Sequence, residues 1–304
     1  MIRLTIILFV TCVLHIARAE PNDSAPIDTV GIPQVQKFIE DLAGAISQHI
    51  ARLPAPYSSK SGDVVFRPEV DGSNLVRVHK NGNRFEIIFP LGTYALAESL
   101  ALATLNQGKI VAASDVQCVR NYFQYIITFD NVTPGTQMRF PDLINVWALR
   151  RCPDVASLLT AYRNDPANAS ALYRSVTMIM SITMLHEWGH IIFGHLDMPP
   201  SKANELAADS FAFENLMYLY QEDYKQIVVQ SMVMFPLLTG QAFHSGGSEL
   251  PSADERIANS VEAIYAYYND QRDEKGWNEF AEFTRTASKY FSEKLGIPDP
   301  WNKK

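Results

Sequence analysis

Apolar residues recur at helical spacing through Gln34–Leu53 (Val35, Phe38, Ile39, Leu42, Ile46, Ile50), and the run stops before Pro54-Ala-Pro56. Positions three and four apart share one helix face, so this stretch predicts an amphipathic helix. The period then changes. Val64–Val70, Asn74–His79 and Arg84–Pro90 alternate or run β-branched and aromatic, and Asn81-Gly82 supplies a hairpin turn between the last two. Helical spacing returns over Thr93–Gln107 and Ala112–Thr128, followed by a loop with Pro134-Gly135 and Pro141 and a shorter helix over Asp154–Arg163. A long helix is expected from Ala169 to Gly194 and another from Lys202. Glu222–Gly240 reads as helical up to Pro236, Gln241–Ser252 as a Gly-rich loop, and Asp254–Tyr268 and Asn278–Leu295 as the last helices. The pattern predicts an α+β fold, predominantly α-helical, with a small antiparallel sheet near the N-terminus.

Two features of the termini and composition refine that picture. Residues 1–19 read as a secretory signal: Arg3, an apolar core over Leu4–Ile16, and Ala17-Arg18-Ala19 as a small-x-small cleavage pattern before Glu20. The apolar core is too short for a comfortable membrane span, which needs about 20 residues, and Met232–Leu238 is shorter still. No stable membrane insertion is expected after cleavage, and the expected location is secreted or periplasmic. Residues 20–33 look like a flexible lead-in. The rest divides into an N-terminal helical part with the hairpin (34–165, hairpin 64–90) and a helical core (166–304), or forms one domain over 34–304. With 26 basic and 33 acidic residues, loss of Arg3 and Arg18 takes the formal net charge from -7 to about -9. That balance argues against nucleic acid or an anionic membrane as partner. Cys118 and Cys152 remain after cleavage; in an oxidising compartment they are candidates for one disulfide, the other reading being two buried thiols.

The chemistry concentrates in Met184–Asp209. His186-Glu187-Trp188-Gly189-His190 is a His-Glu-x-x-His motif, and Glu205-Leu-Ala-Ala-Asp209 follows after a break at Pro199-Pro200. On a helix His186 and His190 point about 40° apart, one turn above the other, so both can reach one metal ion. Glu187 lies beside that face, free to act as a base on water. Glu205 and Asp209 share a face of the second helix, which packs antiparallel to the first. Glu205 would be the third ligand, and Asp209 would hydrogen-bond the far nitrogen of a ligand His. Gly189 sits in a helix interior at a cost of about 1 kcal/mol relative to Ala, which points to a close neighbour. The competing reading is a core helix with incidental polar residues, but two His and three acids are expensive to bury unpaired. Met178, Met180 and Met184 read as core packing.

Other candidates are weaker. His195 lies nine residues after His186, half a turn round, so it faces away from the metal if the helix continues. It reads as a helix-end residue favoured by the helix dipole, with a ligand role as the alternative. His244 and Arg256 are candidate oxyanion or substrate contacts, with Tyr218 and Tyr224 behind them; Arg256 would otherwise pair with Asp209 or another acid behind the site.

The His-Glu-x-x-His and Glu-x-Ala-Ala-Asp pattern resembles the gluzincin metallopeptidases, named for their Glu third ligand. Its form is most similar to the HtpX-like and prenyl-protein-processing peptidases with their periplasmic relatives, and to the phage-exclusion Lit type. The resemblance covers about 184–211, with an echo at Pro251-Ser-Ala-Asp-Glu-Arg256-Ile, where relatives often carry His-Pro and this chain has Leu250-Pro251. It implies a zincin-like active-site helix pair, one Zn²⁺ per chain on His186, His190 and Glu205, Glu187 as general base, and a peptide or protein substrate. In gluzincins a strand beside the active helix pairs with substrate, a role open to the 64–90 hairpin, which otherwise covers the N-terminal helix. The motif leaves two rivals in play: a hydrolase of non-peptide amides, and a latent or non-catalytic zinc-binding quality-control protein whose fourth position is filled by His195 or His244.

Overall fold

The computed structural model describes residues 32–55, 57–69, 76–113, 153–220 and 250–270, with single positions between 278 and 293. The leader, Cys118, Cys152, Tyr224, His244 and the helices expected over Glu222–Gly240 and most of Ala112–Thr128 lie outside the described residues.

Helix α1 spans Ile32–Ile50, and its apolar stripe from Val35 to Ile50 is buried. A 3-10 turn over Ser58–Asp63 leads into a three-stranded sheet of β1 (Val64–Glu69), β2 (Arg77–Asn81) and β3 (Arg84–Pro90). The strand order is β1-β3-β2. β2 and β3 form the expected antiparallel hairpin, but β1 runs parallel to β3 with Phe66 opposite Ile87, so the sheet is mixed rather than antiparallel. Burial accounts for the strand order. β3 carries Ile87, Ile88 and Phe89 on consecutive buried positions, a pattern suited to a central strand, whereas His79, Lys80 and Asn81 suit an edge. The turn is also displaced by one residue. Asn81 pairs with Arg84, leaving Gly82 and Asn83 as the two turn residues, with Gly82 in the left-handed region at φ 62°.

Helix α2 (Leu91–Ala113) follows β3 directly and absorbs residues 112 and 113 from the helix expected next. Helices α3 (Pro153–Asn164), α4 (Ala169–Phe193), α5 (Lys202–Leu219) and α6 (Ala253–Asp270) complete the described fold, which is mostly helical. α4 is the axis. It packs against α1, α2 and α5, and buried residues occur on every side of its middle turns, which is the pattern of a helix enclosed by the protein. Met178, Met180 and Met184 are fully buried there and fill the core. Phe66 of β1 stacks on Trp188 of α4 with ring centroids 5.3 Å apart, tying the sheet to the helix that carries the motif. Buried apolar residues from α1, the sheet and all five later helices belong to one cluster. No described helix is long and apolar enough to cross a membrane.

Candidate metal centre

The motif helix stops where its sequence says it must. Gly194 takes the left-handed conformation (φ 72°), and its N–H returns to the His190 and Ile191 carbonyls. A 3-10 turn over His195–Asp197 and the extended Met198–Ser201 segment reverse the chain, and Ser201 caps α5 by accepting from the Asn204 N–H at 3.2 Å. His190 then faces Glu205 while His186 faces Asp209, so the helices run antiparallel. They touch at Gly189: a Cβ there would lie 3.0 Å from the Ala208 Cα. The close neighbour that Gly189 anticipates is therefore the backbone of α5.

Three atoms converge between the helices. His186 Nε2 lies 3.0 Å from His190 Nε2 and 3.4 Å from Glu205 Oε2, and His190 Nε2 lies 3.6 Å from Glu205 Oε1. These are the residues among those described whose ligand atoms can share one ion. Bonds of about 2.0–2.1 Å in tetrahedral array put ligand atoms about 3.3 Å apart, close to the distances found. The donor set fits as well. His186 Nδ1 lies 2.8 Å from Asp209 Oδ1, so it carries a proton and donates. When that ring is neutral, Nε2 presents a lone pair toward a second imidazole and a carboxylate, an arrangement that could hold a cation.

Without a metal, a proton serves. Burial alone would lower the His186 pKa, but the hydrogen bonds to Asp209 and Glu205 outweigh it and raise it to about 9. Burial and the neighbouring charge on His186 take His190 the other way, to about 4. Burial pushes Glu205 and Asp209 up, yet both stay below the usual carboxylate range: the His186 hydrogen bond dominates the opposition at Glu205, and the Arg256 charge at Asp209. Glu187, beside the cluster, is raised by burial to about 7, with Glu205 adding to the shift and His186 opposing it.

Arg256 comes from α6 and grips Asp209 with two hydrogen bonds, Nε to Oδ2 at 2.7 Å and Nη2 to Oδ1 at 2.6 Å. Of its two readings, the structure shows the pairing behind the site. α6 is itself fixed at its start, where Glu255 accepts from the Ser252 N–H and hydroxyl and from Lys202 of α5. Ser252-Ala-Asp-Glu255 is a Ser-x-x-Glu capping signature that the sequence reading passed over. Tyr218 stacks edge-to-face on Tyr267.

His195 stands just past the end of the motif helix. Because α4 does not continue through it, the 3-10 turn places its Nδ1 3.1 Å from His190 Nδ1. It reaches the nitrogen opposite the one that faces Glu205. The sheet meets the site through Lys80 of β2, which pairs with Asp197 just past the motif helix, while β1 lies beside α1. β1 thus lies against α1, while the β2–β3 hairpin presents an edge strand near the end of α4.

The family model described as Peptidase U49 matches residues 162–278, a stretch containing His186, Glu187, His190, Glu205, Asp209 and Arg256. No curated protein and no solved structure matches the chain. The family match supports a peptidase.

Proposed function

We propose that the chain is a zinc-dependent, gluzincin-like peptidase acting in a secreted or periplasmic setting, with the leader over residues 1–19 as the support for location. The observation that carries the chemistry is the convergence of His186 Nε2, His190 Nε2 and the Glu205 carboxylate, with Glu187 alongside. These three side chains would hold the ion. Zinc bound there supplies acidification of water toward a pKa of about 7 and polarisation of a scissile carbonyl.

The rest is the work of this chain's own groups. Glu187 takes a proton from the attacking water and delivers it to the leaving amine. Asp209 orients His186 and strengthens it as a donor, and Arg256 keeps Asp209 ionised. Among the described residues β2 is an edge strand, and its outer side would offer backbone groups to an extended peptide, beside the end of α4. An open fourth position is supported by His195, which is turned toward His190 Nδ1 rather than into the ligand set.

Digestion of a peptide library by the zinc-loaded chain, beside Glu187→Gln, tests this reading. Expected are cleavage by the unmutated chain and a loss of about 10²–10⁴-fold in the variant with zinc retained. Hydrolysis of non-peptide amides alone, or zinc uptake with no cleavage by either protein, would overturn the peptidase reading.

A further inference from the structure

We infer that His195 is a positioning residue for His190, the counterpart of what Asp209 does for His186, and not a fourth ligand; the inference rests on the metal-centre reading above. His190 Nε2 faces His186 Nε2 and Glu205, so it must be the unprotonated nitrogen if it is to bind an ion. The ring proton of His190 then sits on Nδ1. Only an acceptor can satisfy it, and the atom 3.1 Å away is His195 Nδ1, which places the proton of His195 on Nε2.

Local structure holds this contact. Gly194, in a conformation that disfavours a side chain, ends the helix and turns His195 back over the last turn. Phe193 lies against the His195 ring at 5.5 Å and is itself held edge-to-face by Phe211 and Tyr57. The two metal-facing imidazoles are therefore supported unequally. His186 has an anionic partner, which fixes its tautomer and makes it a better donor, whereas His190 has a neutral partner, which fixes its tautomer and ring angle only.

The test compares His195→Leu, which removes the acceptor, with His195→Asn, whose side-chain carbonyl lies near the place of Nδ1. Co²⁺ affinity and absorption spectrum are measured on the full chain, together with the thermal midpoint of the metal-free protein. Expected is a loss of affinity of about 10–100-fold in His195→Leu, recovery to near the unmutated value in His195→Asn, and an unchanged four-coordinate spectrum throughout. Unmutated affinity in His195→Leu, or equal losses in both variants with a changed coordination spectrum, would overturn the inference, the latter by making His195 a ligand. No Co²⁺ uptake by the unmutated chain would instead sink the metal centre itself, and this inference with it. Should His195→Leu fail to fold, ring ¹⁵N–¹H correlations of the unmutated zinc-loaded chain decide: protonation of His190 at Nδ1 and His195 at Nε2 is expected, and a protonated His195 Nδ1 overturns it.

Discussion

Arg256 and Asp209 meet in a two-bond pairing almost sealed from solvent, with the Asp209 side chain 1% exposed, and that carboxylate also holds His186 at 2.8 Å. One ion pair thus joins α6 to the two helices that carry the His186, His190 and Glu205 cluster. Arg256→Met leaves a buried carboxylate short of its partner, which costs about 3–5 kcal/mol when such a pair is broken from one side. Chemical denaturation of the metal-free chain should show that loss, and zinc affinity should fall by about tenfold or more as His186 loses its fixed orientation. Wild-type stability in Arg256→Met would contradict the role given to the pair.

Gly189 and Gly44 make a controlled contrast, because both sit inside helices but only Gly189 faces a neighbour. Gly44→Ala should stabilise by about 1 kcal/mol through helix propensity alone. Gly189→Ala should destabilise by about 1–3 kcal/mol despite the same gain, since its Cβ would press on the Ala208 backbone and part α4 from α5. Denaturant midpoints of the two variants give the signs directly. Equal stabilisation by both would mean that the helices do not approach as closely as described.

The metal-free chain should lose stability as pH rises from neutrality through about 9. The His186 pKa is raised from 6.5 to about 9, so its contribution is fully present below 6.5 and lost as pH passes the folded value. Zinc displaces that same proton, so its affinity should climb about tenfold per pH unit between pH 7 and 8. Chelator competition at those pH values, beside thermal midpoints of the metal-free chain, checks both halves. A pH-independent zinc affinity would contradict the protonated state of His186.

The cap on α5 is also open to test. Ser201→Ala removes the acceptor for the Asn204 N–H and should cost about 1 kcal/mol, frayed at the turn that carries Glu205. Hydrogen exchange at Asn204 and Glu205 should quicken while the middle of α4 is unchanged. No change in exchange at either amide would mean that the turn is held by something other than this cap.

Much of this was legible from periodicity and spacing. The His186, His190, Glu205 and Asp209 arrangement follows from two i, i+4 pairs and a proline break, all local signals that helix geometry converts into position. α1 and the β2–β3 hairpin were equally plain. What escaped depended on distant parts of the chain or on one torsion. β3, the most apolar strand, takes the centre of the sheet with β1 parallel beside it, an order set by burial rather than by alternation. His195 turns inward because Gly194 adopts a positive φ one residue before a continuing helix would have carried it away. Arg256 reaches Asp209 from 47 residues downstream, so the sequence left that pairing as one of two readings, although the helix carrying it was expected within one residue of its start at Ala253.

Calorimetric titration of zinc into the metal-free full-length chain tests the central claim most directly. One ion should bind per chain, and Glu205→Ala should abolish or severely weaken binding while leaving the chain folded. No saturable binding, or unmutated affinity in Glu205→Ala, would contradict a metal centre built from His186, His190 and Glu205.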